Sequence, residues 1–529
     1  MLSKVYEREL DSLGAFEISA DMIKLAQKND NENTFLNAGR GNPNWINTQG
    51  RLAFCRLMEF GIKESKLNLD YANLAGDITE KGIHGRLCEF LAFGDETAVF
   101  LKEAIDYCTN QLKMNGDQLV KELVDAVIGN NYPVPSRCLQ LIEKIIGKYL
   151  EDILYKGSDL SEETDIFPTE GGTAAIVYAF DSLKHNGLIN EGDKIAINIP
   201  IFTPYLQIPR LTNFDFVPIN LTSSEENGWQ ITKEQLDQLR DPQIKALFLV
   251  NPSNPGSHAL DHQTLEHIGE LVKERKDLMI ITDDVYGTFV NGFRSVYEIA
   301  PYNTLLVYSY SKLYGVTGWR TGLIAINKKN IFDDLIKKLP DEKKAILDFD
   351  YSIVTTNPEK MPFIDRICAD SRSIGLYHTS GLSTPQQAFM ALLSLTHLVT
   401  NEEDPYFAVT NRIIGRRYSK LYHALGLAED NGVTNSKYYA LINIYQLAES
   451  KYGEDFAGYF KKEFNSDEFM LKLAQEEGVV LMMGKGFKAL PGTLRVSQAN
   501  LKDEQYELVG YRVLKTLEDF HNLYEKRIV

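Results

Sequence analysis

The residues best suited to chemistry lie in Ser309-Tyr-Ser-Lys312-Leu-Tyr-Gly-Val-Thr-Gly-Trp-Arg320-Thr-Gly322. A lysine follows the end of an apolar run, two serines precede it, and an arginine comes eight residues later. A lysine amine can form an imine with an aldehyde cofactor. Hydroxyls and a guanidinium beside it can hold a phosphate. Upstream, Asp283-Asp-Val-Tyr286 ends another apolar run. A carboxylate there can pair with a pyridinium nitrogen and keep it protonated, which makes the ring an electron sink. The tyrosine can reach a ring hydroxyl. Asn251-Pro-Ser-Asn254-Pro-Gly256 forms an irregular loop whose Asn254 can donate to a phenolate oxygen. Thr169-Glu-Gly-Gly172-Thr173 opens a helical run, where free backbone N–H groups favour a phosphate. Each piece alone has a plainer reading: a solvated lysine, a turn acid, a proline turn, a glycine turn.

The elements that must position these residues follow from the apolar pattern. Short β-type runs occur at 194–199, 214–221, 245–250, 278–282, 304–308 and 322–326, with helical patterns between several of them. In 259–276, Leu265, Ile268, Leu271 and Val272 fall on one helical face. Such alternation predicts a mostly parallel sheet covered on both faces, with ligands at the carboxyl ends of its strands. The candidate residues sit just there. Asn254 to Asp283 and Asp283 to Lys312 are each 29 residues, one strand–helix–strand step.

Taken together, the Gly-Gly-Thr loop, N-P-x-N-P-G, D-x-x-Y and S-x-S-K with its arginine resemble fold-type I pyridoxal phosphate enzymes of the aspartate aminotransferase branch, in order and in spacing, over about 165–325. The resemblance implies an α/β fold with a large, mostly parallel sheet domain, a smaller α/β domain and pyridoxal 5′-phosphate as cofactor. Lys312 would hold the cofactor as an imine and later move protons. Asp283 would pair with the ring nitrogen, and Tyr286 and Asn254 with the ring oxygen. Gly172, Thr173, Ser309 and Arg320 would hold the phosphate. Phe202, in Pro200-Ile-Phe-Thr-Pro-Tyr205, matches the aromatic that stacks on the ring. Tyr132 matches a tyrosine that reaches the phosphate from a neighbouring subunit, which implies a homodimer. Arg495 matches the arginine that grips the substrate α-carboxylate, and Gly41 a glycine that closes near the substrate.

The length, 529 residues, exceeds that of an ordinary aminotransferase. The excess falls in two charge-rich helical stretches. The expected organisation is an N-terminal segment over 1–45, a helical insertion over 46–128, the cofactor domain over 129–327, a second insertion over 328–383 and a C-terminal small domain over 384–529. Within the branch this arrangement looks like the aspartate 4-decarboxylases. The resemblance then implies L-aspartate converted to L-alanine and carbon dioxide through a ketimine of the cofactor, with transamination as a side reaction. A dicarboxylate aminotransferase without decarboxylation and a non-catalytic regulator of the same fold are the alternatives. The retained lysine, acid and arginine argue against the latter. Arg40, beside the closing segment, and Lys485, in a glycine-rich stretch, are candidate contacts for the distal carboxylate. The first insertion is expected to contact another dimer in a larger assembly such as a dodecamer.

Composition bounds the rest. Lys plus Arg is 56 against 73 Asp plus Glu, a formal charge of −17, which excludes a broad nucleic-acid-tracking surface but allows a local basic pocket. No run of 18 apolar residues suggests a membrane span, and the first twenty residues lack the apolar core of a signal peptide, so a cytoplasmic location is expected. Five cysteines, odd in number and with no C-x-x-C, point to free thiols rather than a disulfide framework or a cysteine zinc site. Other motifs fail on context. S-x-x-K with Arg320-Thr-Gly would need an S-D-N motif, and Asn465-Ser-Asp467 stands in the wrong order. His258, His262 and His267 lack the acid of H-E-x-x-H, so no metal is expected. Gly39-Arg-Gly41 lacks the third glycine of a dinucleotide loop.

Overall fold

The computed structural model describes residues 15–92, 94–211, 217–400 and 404–528. A seven-stranded sheet positions the site. Its strands, in chain order, are β1 (Thr164–Thr169), β2 (Lys194–Ile199), β3 (Val217–Thr222), β4 (Ile244–Val250), β5 (Met279–Asp283), β6 (Thr304–Ser309) and β7 (Gly322–Asn327). Across the sheet they run β1-β7-β6-β5-β4-β2-β3. β2 to β6 are parallel, and β7 is antiparallel to both β1 and β6. The expected strands are all present. That expected over 214–221 begins at Val217, and 214–216 lie outside the described residues. β4, β5 and β6 read as near-continuous apolar runs because helices cover both faces and their side chains are buried. The helix over 259–276 forms as His262–Glu274, capped by Asp261, and buries Leu265, Ile268, Leu271 and Val272.

The reversed direction of β7 matters for function. Its first residue, Gly322, pairs with Ser309 at the end of β6 and with Thr169 at the end of β1. The turns carrying Arg320, Ser309 and Gly171 are thereby gathered at one sheet edge, the same edge at which β4 and β5 deliver Asn254 and Asp283.

Residues 46–128 form four helices, Thr48–Lys66, Ile83–Phe90, Glu96–Asn110 and Gly116–Ile128, with a two-residue hairpin between the first two. Asn47, Asp95 and Asn115 cap three of them through their side chains. Their apolar faces, including Leu57, Phe60, Leu101 and Leu123, belong to the same continuous core as the large sheet. The first and last helices approach so closely at Gly61 that a Cβ there would lie 2.7 Å from Val124. Residues 328–383 are also mainly helical: Ile331–Lys337, Asp341–Tyr351 and Phe363–Asp370. They brace the far end of helix Gly172–His185. Tyr351 donates to Asp370 at 2.8 Å, and His185 lies 2.9 Å from the same carboxylate.

The remaining body has its own core around Leu421, Ile442, Phe460, Val496 and Val513. An antiparallel sheet, Tyr439–Asn443, Thr493–Ser497 and Met482–Met483, is backed by Pro405–Leu425, Ser466–Glu477 and Asp503–Ile528. The N-terminal segment joins this body: Ala15–Gln27 packs on Ser466–Glu477, and Leu36–Asn37 pairs with Val479–Val480. That pairing aims Gly39 to Asn42 at the large sheet. Among the described residues no helix is long and apolar enough to cross a membrane. The five cysteines are free, and no cluster of potential metal ligands occurs among the described residues.

Candidate active site

A cavity of about 270 Å³ opens at the carboxyl edge of the parallel strands. Gly172, Thr173, Phe202, Asn254, Asp283, Tyr286, Ser309, Lys312, Arg320, Gly41 and Arg495 all line it. The fold thus brings eleven of the expected site residues around one space.

Asp283 ends β5 and is buried. Tyr205 donates its hydroxyl to one carboxylate oxygen at 2.6 Å, and the Val285 N–H donates to the other at 3.1 Å. Burial pushes the carboxyl up to about 6 in spite of these donors. A cation beside it would restore the charged form. Lys312 follows β6 and is half-buried, donating to the Gly41 carbonyl at 3.2 Å. Burial foremost, then the charge of Arg495, holds its amine below the usual lysine range, while Asp283 opposes the shift.

The phosphate-type cradle is built at the turn between β1 and helix Gly172–His185. Gly171 caps that helix with φ +94° and no side-chain cap, which leaves the first N–H groups free to meet an anion. A Cβ on Gly171 would collide with the Arg320 guanidinium. Arg320 itself sits in the left-handed region at φ +57° and donates to the Thr317 carbonyl at 2.8 Å and the Glu170 carbonyl at 3.2 Å. Ser309 donates to Ser311 at 2.9 Å. Arg320 and Thr173 stand exposed at the mouth of the cavity.

On the opposite wall Arg495, 2% exposed, comes from the strand Thr493–Ser497. It donates to Asn254 Oδ1 at 2.9 Å and to the Gly39 carbonyl at 2.7 Å. Its guanidinium lies over the Tyr439 ring at 4.3 Å and the Phe487 ring at 4.7 Å. Burial lowers its proton affinity. The buried Nε has no hydrogen-bond partner, a donor awaiting an anion. Asn254 Nδ2 donates to the Tyr286 hydroxyl at 3.4 Å, and Tyr286 and Tyr439 hydroxyls lie 2.8 Å apart.

Three candidates lie elsewhere in the chain. Tyr132 is 65% exposed and lines a different surface cavity. Arg40 is exposed and outside the active cavity, although its neighbour Gly41 lines it. Lys485 is ion-paired with the buried Asp467 at 2.5 Å and does not line the cavity. Tyr205 and Tyr439 also line the cavity and are not among the expected site residues. Tyr205 sits within the quoted Pro200–Tyr205 motif and supplies the donor a buried acid requires. Tyr439 carries no such local signal.

A lysine, a buried acid on a strand end, an uncapped helix start with an exposed arginine, and a second arginine that is buried define a site for a phosphorylated aldehyde and a carboxylate-bearing amine. Residues 103–510 match the family model for aminotransferase class I and II. The chain belongs to that family and is an enzyme whose cofactor is pyridoxal 5′-phosphate. A bifunctional aspartate aminotransferase and L-aspartate beta-decarboxylase of Pseudomonas sp. is 41% identical over 99% of both chains. An asparagine–oxo-acid transaminase of Streptococcus mutans is 26% identical, over 62% of this chain and 70% of its own. Among solved structures, a Thermus thermophilus aspartate aminotransferase double mutant aligns with a TM-score of 0.59 at 17% identity, covering 97% of this chain and 98% of its own. The aspartate aminotransferase from Rhizobium meliloti aligns with a TM-score of 0.59 at 15% identity, over 96% of each. These two share the fold.

The residues fit the cofactor on their own chemistry. The uncapped helix start, Ser309 and Arg320 suit a phosphate dianion. Asp283 is a buried acid that gains from a cationic ring nitrogen. Phe202, packed edge-on against Tyr205 at 5.3 Å, offers a ring to the cavity.

Proposed function

We propose that this enzyme is an aspartate 4-decarboxylase, converting L-aspartate to L-alanine and carbon dioxide, with aspartate transamination as a side reaction. What carries the reading is the likeness to the bifunctional Pseudomonas relative over 99% of both chains, a span that takes in both helical insertions.

Bound in the cavity, pyridoxal phosphate supplies an aldehyde for the substrate amine and a protonated ring that absorbs the electrons released there. The chain does the rest. Gly172, Thr173, Ser309 and Arg320 hold the phosphate, and Phe202 covers the ring. Asp283, as a carboxylate, keeps the ring nitrogen protonated. Tyr286 and Asn254 donate towards the ring oxygen. Arg495 grips the α-carboxylate, its orientation fixed by Asn254 and Gly39. Lys312 holds the cofactor and then takes the α-proton; its weakened hold on its own proton favours the free amine that this step needs. The cations that line the cavity are Lys312, Arg320 and Arg495. With these committed, the described lining residues offer no fixed cation to the distal carboxylate. A loosely held carboxylate is not stabilised against its own loss. Exclusion of water favours decarboxylation over transamination, and Phe202, Tyr286 and Tyr439 line the cavity.

Incubation with L-aspartate alone tests this. Alanine and carbon dioxide without an added keto acid support it. Turnover that requires a stoichiometric keto-acid acceptor assigns the chain to dicarboxylate transamination instead. For Arg40 as a distal contact, its removal should change aspartate binding or the product ratio; unchanged values remove it.

The same reading places Tyr132 in the neighbouring subunit's phosphate site, within a homodimer. Its exposure is consistent with that role. The apolar side chains Leu52, Ile62, Leu67, Tyr71 and Leu74, exposed on the first insertion, favour a larger assembly such as a dodecamer. A single-dimer mass by light scattering would remove the larger assembly. A cytoplasmic location belongs to this reading too, supported by five unpaired thiols.

A further inference from the structure

The pair Tyr286–Tyr439 joins the two bodies of the molecule at the active cavity. Tyr286 follows β5 of the large sheet, and Tyr439 opens the strand Tyr439–Asn443 of the smaller one. Both side chains are buried, and their hydroxyls lie 2.8 Å apart. A hydroxyl has one proton to give and two lone pairs to accept with. The arrangement around Tyr286 leaves two ways in which these are used.

Arg495 has donors only, so the atom of Asn254 that it meets at 2.9 Å must be the amide oxygen. The Asn254 amide nitrogen then faces Tyr286 and donates to its oxygen at 3.4 Å. If Tyr439 donates as well, both lone pairs of Tyr286 are occupied and its own proton is left for the cavity. If Tyr286 instead donates to Tyr439, that proton is spent within the pair.

The backbone around Tyr439 holds its ring in place, and the 2.8 Å geometry of the pair admits either hydroxyl as the donor. Its backbone N–H donates to the Ser257 Oγ at 2.8 Å. Ser257 is buried and held at φ +66°, the left-handed region that non-glycine residues avoid. The Ser257 carbonyl accepts from the Ser436 N–H at 2.8 Å and from the Ser436 hydroxyl at 2.9 Å. Loop 251–257, which carries Asn254, is thus stitched to the segment that carries Tyr439. Gly41 closes the other side, where a Cβ would collide with the Tyr439 hydroxyl.

We propose that Tyr439 is a positioning residue for the cofactor: it donates its hydroxyl proton to Tyr286, which turns the Tyr286 proton onto the cofactor's ring oxygen. The position of the smaller body thereby sets the electronic state of the ring. A hydroxyl that accepts two hydrogen bonds is a stronger donor with its own proton. This inference rests on the cofactor assignment above and adds a residue acting through Tyr286.

The test is a pH titration of the visible absorbance of the lysine-bound cofactor in holoenzyme without substrate. A donor to the ring oxygen stabilises the negative charge left when the lysine-bound nitrogen loses its proton, and so lowers the midpoint. Tyr439→Phe keeps the ring, its packing and the backbone anchor. It leaves the other charged and titratable groups in place, namely Lys312, Asp283, Arg320, Arg495, Tyr205 and Tyr438. The midpoint should rise by roughly 0.5–1 pH unit, the worth of one hydrogen bond. Tyr286→Phe should raise it further, and adding Tyr439→Phe to Tyr286→Phe should then change nothing. An unchanged midpoint, a lowered one, a further shift in the double variant, or loss of cofactor uptake by Tyr439→Phe would overturn the proposal. A wild-type protein with no visible band would instead overturn the cofactor assignment.

Discussion

Asp283→Asn separates what burial costs the protein from what the charge does for catalysis. In the cofactor-free protein the carboxyl is moved from 3.8 to about 6 by burial. At 1.36 kcal/mol per pH unit, the ionised group costs folding roughly 3 kcal/mol. The direction follows from proton counting. Between about pH 4 and pH 6 the folded state holds the proton and the unfolded state has lost it, so stability falls as pH rises through that window. Above the window the full cost remains, and below about pH 4 it vanishes. An amide fits the same place, since its oxygen accepts the Val285 N–H and the Tyr205 hydroxyl can turn to accept the amide N–H. Chemical unfolding of cofactor-free wild type and variant should therefore show Asp283→Asn more stable by up to about 3 kcal/mol at pH 8, the gap closing to under about 1 kcal/mol at pH 4. The same variant loaded with cofactor should lose at least about a hundredfold in turnover, the scale of one preorganised electrostatic contact. A variant no more stable than wild type at pH 8, with no convergence on acidification, would refute the claim that this acid is held at a cost for its chemistry.

Other expectations follow from the two arginines. Arg495→Lys keeps the charge but loses the planar fork; KM for aspartate should rise about 10- to 100-fold. An unaltered KM would mean that the α-carboxylate binds elsewhere. Gly171→Ala must force a Cβ into the Arg320 guanidinium from a backbone at φ +94°. A cost of roughly 1–3 kcal/mol should appear as about tenfold or greater loss of cofactor affinity, read by dialysis against cofactor-free buffer. Retained affinity would show that this turn does not hold the phosphate.

Much of the site was legible because its residues follow short apolar strands. Asn254, Asp283 and Ser309 end or follow β4, β5 and β6, whose burial on both faces writes itself into the sequence as unbroken apolar runs. β1 is not legible as a strand. Asp165 and Pro168 interrupt its pattern, and its place at the sheet edge tolerates the proline. Tyr439 was invisible for another reason: it meets Tyr286 across 153 residues, and nothing local to either position encodes that contact. Lys485 illustrates the converse. A glycine-rich setting made it look free to reach a substrate, whereas the buried Asp467, 18 residues upstream, takes its charge.

The central claim is that the Lys312 amine carries the cofactor. Protein supplemented with pyridoxal phosphate, reduced with borohydride and digested should yield the pyridoxyl label on the peptide containing Lys312, and Lys312→Ala should show neither the label there nor the visible band. A wild-type label on a different lysine, or a visible band and turnover that survive in Lys312→Ala, would contradict it.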